Sequence, residues 1–278
     1  MKIYKTKSDI IIEHNDDCYI SAETDWDTLL DRDDLYAQLQ KEIYQLPVAG
    51  DAEWLQEKEL LAPIGTQEVW AAGVTYLRSK VARMEESKES GGATFYDKVY
   101  DAERPELFFK STPGRVVPPH GKVRIRKDSS WDVPEPELVL VIASSGKIIG
   151  YSIGNDMSSR SIEGENPLYL PQAKMYDGCA AIGPCILVME EPIAPTTLIS
   201  IAIERAGSVA FEGSVTIDQM KRKHTELVEF LYREYSFNTG AYLMTGTCVV
   251  PDNTFTLQSG DVIKIEIEGI GMLVNTVA

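Results

Sequence analysis

The amino-acid sequence predicts an α+β protein in which strands predominate. Many short apolar segments have the length and composition of strands, and glycine, proline or polar residues separate them. Helical spacing of apolar residues is found mainly over residues 25–45 and 217–235. So many strands with so few helices favour a β-rich α+β core over a doubly wound parallel sheet.

The N-terminal part is expected to form a small α/β lobe. Alternating apolar and polar side chains at the start of the chain predict short strands at KIYK and CYIS, on either side of DIIIEH. A helix is expected over Asp25–Gln45, with Asp25 or Asp27 as its N-terminal cap. Turn residues follow, so we expect a lobe of residues 1–62 and a catalytic domain of residues 63–278.

The catalytic domain has the pattern of strands joined by loops. Its candidate strands, in chain order, are VWAAGVTY, ELFFK, KVRIRK, ELVLVIA, KIIGYSIG, AIGPCILV, SIAIERA, SVAFEGSV and VIKIEIEGIG. An amphipathic helix is expected over Ile217–Tyr235. A polar, helix-like stretch follows the first strand, and its Gly91–Gly92 pair is either a plain loop or the hinge of a mobile lid.

Composition and charge argue against several classes of partner. Hydrophobic residues make up 44% and charged residues 25% of the 278 residues, as is usual for a globular protein with a sizeable core. The formal net charge of −16 argues against nucleic acid and anionic membranes as partners. An anionic substrate would therefore need a local cation, either a metal ion or lysine and arginine side chains.

The lack of a recognisable targeting signal and the cysteine usage favour the cytoplasm. The N-terminal residues resemble neither a signal peptide nor a membrane anchor, and no apolar run reaches about 18 residues. The three histidines are too scattered to suggest a histidine-based metal site. The four cysteines match no zinc motif and are expected to be buried free thiols: Cys18, Cys179, Cys185 and Cys248.

The segment WDVPEPELVLVIA contains two acids that are two residues apart. On an extended chain, the side chains of Glu135 and Glu137 point to the same face. Pro136 points away and donates no ladder hydrogen bond, so this end of the strand is expected at an edge or a mouth of the sheet. The following LVLVIA is apolar on both faces, which is typical of a buried strand.

A divalent cation would explain this acidic pair. Two carboxylates at the rim of a buried strand repel each other and cost several kcal/mol to desolvate unless they are paired. Oxygen ligands favour Mg²⁺, Mn²⁺ or Ca²⁺ over zinc. A third acid, Asp156, ends the next apolar strand, and a hairpin around Ser144–Gly146 would bring it beside the pair. The alternatives are two solvated glutamates and a helix cap at Asp156.

These segments, in this order, resemble the fumarylacetoacetate hydrolase superfamily. Its pattern is an E-x-E on a strand, a hairpin to an aspartate, and a lysine before a glycine-rich strand. Here the pattern reads EPELVLV, GYSIGNDMSSR, PQAKMYDGCAAIGP and TGTCVVP, and it spans most of residues 63–278. The resemblance implies a mixed β-sandwich roll with a small N-terminal lobe, assembled as a homodimer or homotetramer.

One branch of the superfamily is favoured. RPELFFKSTP, SSWDVPEPELVLV, ENPLYLPQAKMYDGCAAIGP and FEGSVTIDQMKRK look like the dehydratases of 2-keto-3-deoxy-D-arabinonate. Hydrolases of the superfamily carry a His–Glu dyad after the first core strand, whereas the matching positions after Tyr76 are Ser79 and Ala82. Hydrolysis by such a dyad is therefore not expected.

The resemblance also implies roles for eight residues. The implied metal ligands are Glu135, Glu137 and Asp156. The implied catalytic residues are Glu106 and Lys174. The implied substrate contacts are Tyr76, Lys110 and Thr247. Without the resemblance, Lys174 would be interpreted as a surface lysine and Glu106 as an acid at a strand edge.

The expected reaction removes water from a 2-keto-3-deoxy sugar acid, giving 2,5-dioxopentanoate from the five-carbon acid. The carboxylate and 2-oxo group of the substrate would chelate Mg²⁺, which stabilises the enolate formed when C3 loses a proton. Either Glu106 or Lys174 would accept that proton. The alternatives are acylpyruvate hydrolysis or oxaloacetate decarboxylation at the same site, and a non-catalytic protein that binds a metal and a 2-oxo acid.

Overall fold

The computed structural model of the protein describes residues 1–77 and 93–278. The Gly91–Gly92 pair, interpreted as a loop or a hinge, and the positions Ser79 and Ala82, compared with a catalytic dyad, lie outside these ranges. The described α-helices are α1 Trp26–Leu30, α2 Leu35–Ile43, α3 Ala52–Gln56, α4 Ala93–Asp101, α5 Arg160–Glu165, α6 Leu170–Lys174 and α7 His224–Tyr232. Short 3₁₀ turns occupy Pro113–Arg115, Pro167–Tyr169 and Ile217–Gln219.

Strands form most of the remaining ordered structure. They are β1 Lys2–Lys5, β2 Ile10–His14, β3 Asp17–Ile20, β4 Gly50–Asp51, β5 Glu68–Gly73, β6 Glu106–Ser111, β7 Val116–Val117, β8 Lys122–Val123, β9 Asp132–Val133, β10 Pro136–Ile142, β11 Ile148–Asp156, β12 Ser158–Ser159, β13 Ala180–Leu187, β14 Leu198–Arg205, β15 Ser208–Thr216, β16 Ala241–Met244, β17 Val262–Ile267 and β18 Gly271–Val277.

Two mixed β-sheets form the body of the protein. The larger has eleven strands in the order β4-β3-β2-β1-β13-β11-β10-β16-β5-β6, with β7 added beside β13. The smaller has five, in the order β15-β14-β17-β18-β8. Strands β9 and β12 form a separate pair. Neighbouring strands are antiparallel except that β7, β5 and β8 run parallel to β13, β16 and β18.

Strand β10 lies between two layers of the core. All of its residues are buried. Leu138, Leu140 and Ile142 belong to the apolar cluster that includes the five-stranded sheet, whereas Val139 and Val141 pack in the cluster that includes α1 and α2. This arrangement confirms that LVLVIA is a buried strand, apolar on both faces. It also confirms the predicted β-rich α+β fold, a mixed sandwich with few helices.

The first 62 residues extend the larger sheet. Strand β1 pairs with β13, and β2, β3 and β4 continue the sheet outward from it. The division between residues 1–62 and 63–278 stays a prediction, because strands from both parts share one sheet. Among the described residues, no helix has the length and apolar character needed to cross a membrane. All four cysteines are free as expected, but Cys248 is partly exposed rather than buried.

The prediction of one helix over Asp25–Gln45 is wrong, because two helices occupy this segment. Asp25 caps the first helix as expected. The chain then leaves the helix at Asp31, whose carboxylate accepts the Ser144 N–H at 3.0 Å, while Asp33 accepts a hydroxyl from the same turn. Both carboxylates therefore find hydrogen-bond donors in the β10–β11 turn. The C-terminal end of a helix would not stabilise them, because the helix dipole disfavours negative charge there.

The helix predicted over Ile217–Tyr235 is shorter in the structure. A 3₁₀ turn occupies Ile217–Gln219, the chain is extended at Met220, and α7 begins only at His224. Met220 forms a β-bridge with Tyr76, which attaches this segment to the chain that leaves β5. The helical spacing of apolar residues therefore continues across a segment in which a tertiary contact interrupts the helix.

Two strand predictions also differ from the structure, and one strand was not predicted. Of KVRIRK, only Lys122–Val123 is a strand. VIKIEIEGIG contains the turn of a hairpin, since β17 ends at Ile267 and Gly269, with a φ of +82°, reverses the chain into β18. Strand β16 was not predicted, because four apolar residues alone do not distinguish a strand from a helix.

Candidate metal centre and active site

Three carboxylates meet where β10 and β11 come together. Glu135 directly precedes β10, Glu137 belongs to it, and Asp156 is the last residue of β11. The N–H of Asp156 donates to the carbonyl of Glu135 at 2.9 Å, and Ser159 rather than Asp156 caps α5. The three carboxylate side chains are 1–3% exposed, and one oxygen of each lies within 4.8 Å of the others. The hairpin expected around Ser144–Gly146 produces this convergence.

Burial and repulsion from its acidic neighbours oppose the ionisation of Glu137. The pKa of Glu137 is raised well above its usual value, first by burial and then by the charges of Asp156 and Glu135. Lys174 and the Gly246 N–H, which lies 2.7 Å from Glu137 Oε2, lower it. A divalent cation would replace the proton that this environment favours.

Lys174 lies beside the carboxylates, and its catalytic role stays a prediction. It is the last residue of α6, and its side chain is fully buried. Its Nζ donates hydrogen bonds to Glu135 Oε2 and, at 3.0 Å, to Asp156 Oδ2. The ring of Phe108 lies 5.9 Å from the same ammonium group. The surface lysine suggested by the residue type alone is therefore wrong.

Lys110, predicted as a substrate contact, lies behind the carboxylates. Its side chain is fully buried and is not part of the cavity wall described below. Its Nζ lies 2.5 Å from Asp156 Oδ1, and it donates to the carbonyls of Lys174 at 2.5 Å and Met157 at 3.0 Å. Lys110 thus contacts the metal-ligand candidate Asp156, and its role in substrate binding stays a prediction.

Arg160 is a residue of this site that the sequence reasoning missed. Its Nη2 donates to Glu135 Oε1 at 2.6 Å, and its Nε lies 4.0 Å from Glu163 Oε2. The Ser158 hydroxyl donates to the same Glu163 oxygen at 3.0 Å. Arg160 stands four residues after Asp156 in GYSIGNDMSSR, so its position within a segment already singled out is the signal that indicates it.

A small cavity lies among these side chains. Its wall is formed by the three carboxylates, by Lys174, Arg160 and Phe108, and by residues 72–74 and 246–247. Its volume of about 20 Å³ is enough for one water molecule or one cation. A larger groove of about 690 Å³ lies at the other end of β11, but among the described residues it holds no cluster of three metal-ligating side chains. The smaller space is therefore the candidate site.

The remaining predicted residues differ in their relation to the cavity. Thr247 is part of the wall and 7% exposed, and its hydroxyl has no hydrogen-bond partner within residues 1–77 and 93–278. Glu106 faces the wall residue Gly73 across β5 and β6. Tyr76 is buried just after β5, which raises its pKa, but it is not part of the wall. Their roles in proton transfer and substrate binding stay predictions.

The donor set suits a hard divalent cation. Three buried carboxylates offer oxygen ligands, and within the described part of the chain no histidine or cysteine joins them. Mg²⁺, Mn²⁺ and Ca²⁺ prefer such ligands, whereas zinc favours nitrogen and sulfur. The residues present therefore fit the predicted metal.

Comparisons with known sequences identify the family of the chain. The family model for the fumarylacetoacetate (FAA) hydrolase C-terminal region matches residues 68–278. The chain is 49% identical over 222 residues to a probable 2-keto-3-deoxyxylonate dehydratase of Haloferax volcanii, which covers 80% of this chain and 75% of the relative. It is 44% identical over 228 residues to the 2-dehydro-3-deoxy-D-arabinonate dehydratase of Saccharolobus solfataricus, with coverage of 80% and 76%.

A solved structure resembles the whole chain. It is a 2-keto-3-deoxy-D-arabinonate dehydratase complexed with magnesium and 2,5-dioxopentanoate. The TM-score is 0.86 at 37% sequence identity, and the match covers 100% of this chain and 98% of the other. The predicted superfamily resemblance is thereby confirmed.

Proposed function

Because the chain belongs to the fumarylacetoacetate hydrolase family, we propose that it is a hydro-lyase acting on a 2-keto-3-deoxy sugar acid. The reaction that we favour removes water from 2-keto-3-deoxy-D-arabinonate and yields 2,5-dioxopentanoate. The observation that carries the proposal is the convergence of Glu135, Glu137 and Asp156 with Lys174 at one buried cavity. The similarity to dehydratases over 80% of the chain supports the substrate class.

The metal belongs to this proposal. Glu135, Glu137 and Asp156 would hold a divalent cation, and Mg²⁺ is favoured because the similar dehydratase structure contains magnesium. When bound, the cation supplies a Lewis acid that stabilises negative charge on the 2-oxo oxygen of the substrate.

Two side chains are proposed to move the protons. Loss of water takes a proton from C3 and the hydroxyl group from C4. We favour Glu106 as the acceptor of the C3 proton, because its carboxylate adjoins the wall residue Gly73. Lys174 already donates hydrogen bonds at the cavity, so we favour it as the proton donor to the departing hydroxyl. Proton shifts from C5 and its hydroxyl to C3 and C4 then give the aldehyde.

Two further groups are proposed to hold the geometry. Arg160 binds Glu135 and so fixes the direction of that carboxylate. The Thr247 hydroxyl, which is buried at the wall, would bind an oxygen of the substrate. A hydroxyl that gains a hydrogen-bond partner only when the substrate binds helps the site to recognise a substrate with polar groups, such as a sugar acid.

Other reactions of 2-oxo acids remain alternatives at the same site. Oxaloacetate decarboxylation would need the same cation, whereas acylpyruvate hydrolysis would also need an activated water. The sequence has Ser79 and Ala82 where hydrolases of this superfamily carry the dyad, which disfavours hydrolysis. A non-catalytic binding protein is the alternative of a different class.

A mass-spectrometric time course tests the proposal. The Mg²⁺-loaded protein is incubated separately with 2-keto-3-deoxy-D-arabinonate, oxaloacetate and an acylpyruvate, and each mixture is repeated with EDTA. We expect loss of water from the sugar acid, abolished by EDTA and restored by excess Mg²⁺. Release of CO₂ or acyl cleavage as the main reaction would favour the alternatives, and binding without product would reject an enzyme.

The assembly and the location of the protein are also proposals. We propose a homodimer or homotetramer in the cytoplasm, with a small 2-oxo acid as the partner rather than nucleic acid or a membrane. Light scattering coupled to size-exclusion chromatography tests the assembly, and a monomeric mass at working concentration would reject it.

A further inference from the structure

Lys110 is a fully buried lysine whose ammonium group contacts three oxygen atoms. An ammonium group carries three N–H bonds. The ammonium donates to the Lys174 carbonyl at 2.5 Å and to the Met157 carbonyl at 3.0 Å, and it forms an ion pair with Asp156 Oδ1 at 2.5 Å. Its side chain is 0% exposed, so water does not compete for these positions. These three contacts fix the ammonium in one place, at the junction of β6, β11 and α6.

The two carboxylate oxygens of Asp156 contact different lysines. Oδ1 is held by Lys110, which is not part of the cavity wall. Oδ2 is bound by Lys174, which lines the cavity. Oδ2, the oxygen beside the wall residue Lys174, is therefore the one assigned to the cation.

The number of carboxylate oxygens that bind a cation affects which cation is preferred. Ca²⁺ accepts six to eight oxygens and tolerates two-oxygen binding by one carboxylate, whereas Mg²⁺ requires a compact octahedron at about 2.0–2.1 Å. A group that occupies one oxygen of a ligand carboxylate limits that carboxylate to one-oxygen binding. Such outer partners commonly change metal affinity by about 10- to 100-fold.

We propose that Lys110 is a positioning residue that limits Asp156 to one-oxygen coordination and thereby favours Mg²⁺ over Ca²⁺ at this site. The inference rests on the metal role in the proposed function. It assigns Lys110 to cation selectivity instead of substrate contact, and it requires Lys110 to act through Asp156.

Isothermal titration of the metal-stripped full-length protein tests this selectivity. The association constants for Mg²⁺ and for Ca²⁺ are measured in the wild type, in Lys110→Met and in Lys264→Met. Lys264 is a matched control, because it is a strand lysine with a carboxylate partner, Glu204 at 2.6 Å, on the other sheet. We expect Lys110→Met to reduce the Mg²⁺/Ca²⁺ ratio by about tenfold or more, and Lys264→Met to leave it unchanged.

The outcomes separate this inference from the proposed function. If the wild type binds neither cation, the metal site itself is rejected. If the wild type binds Mg²⁺ but Lys110→Met weakens both cations equally, Lys110 is only structural and the selectivity role is overturned. Should Lys110→Met not fold, a crystal structure of the Ca²⁺-loaded wild type decides. Asp156 bound through one oxygen, with Lys110 on the other, supports the inference; two-oxygen binding by Asp156 overturns it.

Discussion

Gly73 and Glu106 face each other across β5 and β6, and the Glu106 carboxylate fills the space where a Gly73 side chain would begin. A Cβ built on Gly73 would lie 1.9 Å from Glu106 Oε2 and 2.6 Å from its carboxyl carbon. Gly73 is also part of the cavity wall. The absence of a side chain at residue 73 therefore sets where the Glu106 carboxylate lies relative to the cavity.

Gly73→Ala is expected to displace Glu106 and to reduce turnover. A misplaced general base loses much of its contribution, which is typically about 10²–10⁴-fold. We expect kcat to fall within this range while Mg²⁺ affinity stays near that of the wild type, because the metal ligands are on other strands. Gly114→Ala is the matched control, since a Cβ there meets no atom within 4 Å. Equal loss of kcat in both variants would contradict the role of this contact.

Thr247→Val is expected to weaken substrate recognition without loss of stability. Valine keeps the shape of threonine but removes a hydroxyl that is buried and without a partner in the described structure. We expect kcat/KM to fall by about tenfold or more, as for loss of a hydrogen bond to a charged group. The melting temperature should be unchanged or higher, because an unsatisfied buried group is removed.

Thr245→Val is the matched comparison within the same motif. Its hydroxyl donates to the Leu138 carbonyl at 2.9 Å, so its removal should lower the melting temperature. An unchanged kcat/KM in Thr247→Val would exclude this hydroxyl from substrate binding.

Local periodicity predicted the acidic part of the site. Glu135 and Glu137 share a face because strand side chains alternate, and Asp156 joins them because a tight hairpin connects β10 to β11. Both features depend on residues close in the sequence. The same reasoning found α1 and its cap, since a helix start has local signals.

Distant contacts account for what the sequence did not predict. Lys110 reaches Asp156 from β6, which β5 and β16 separate from β10 in the sheet. Asp31 ends a helix because it binds Ser144, far along the chain. Neither a buried lysine nor an interrupted helix has a local sequence pattern that identifies its partner. Such contacts can therefore be identified only in the folded structure.

The raised pKa of Glu137 makes metal binding depend on pH. Its carboxyl has a usual pKa of 4.5, and burial followed by the charges of Asp156 and Glu135 raises it in the folded, metal-free protein. The stability that this protonated carboxyl contributes is fully present below its pKa in the unfolded chain. It is lost as the pH rises through its pKa in the folded protein. Mg²⁺ should restore that loss by replacing the proton.

The increase in melting temperature on adding Mg²⁺ should therefore grow with pH. Differential scanning calorimetry at about pH 5 and about pH 8, with and without Mg²⁺, measures it. In metal-free Glu137→Gln, the loss of stability with rising pH should be smaller than in the wild type. The opposite trend, a larger Mg²⁺ effect at low pH, would contradict the raised pKa.

His224 should destabilise the folded protein in acid. Burial at the start of α7 lowers its pKa from 6.5 to about 4. Stability is therefore fully present above the unfolded pKa of 6.5 and is lost as the pH falls through about 4. The shift corresponds to about 3 kcal/mol at full protonation.

Urea unfolding across this pH range measures the effect. His224→Gln should remove most of the loss of unfolding free energy on acidification, whereas His14→Gln, on β2, is the matched control. Identical pH profiles for the wild type and His224→Gln would show that His224 does not account for acid sensitivity.

The most direct measurement is a calorimetric titration of Mg²⁺ into the metal-stripped wild type and into Glu135→Gln, with turnover assayed on the same samples. Glu204→Gln, on the five-stranded sheet, serves as the control. We expect a single Mg²⁺ per chain in the wild type and in the control, and loss of both binding and turnover in Glu135→Gln. Full turnover without metal, or retention of binding and turnover by Glu135→Gln, would contradict a metal centre built from Glu135, Glu137 and Asp156.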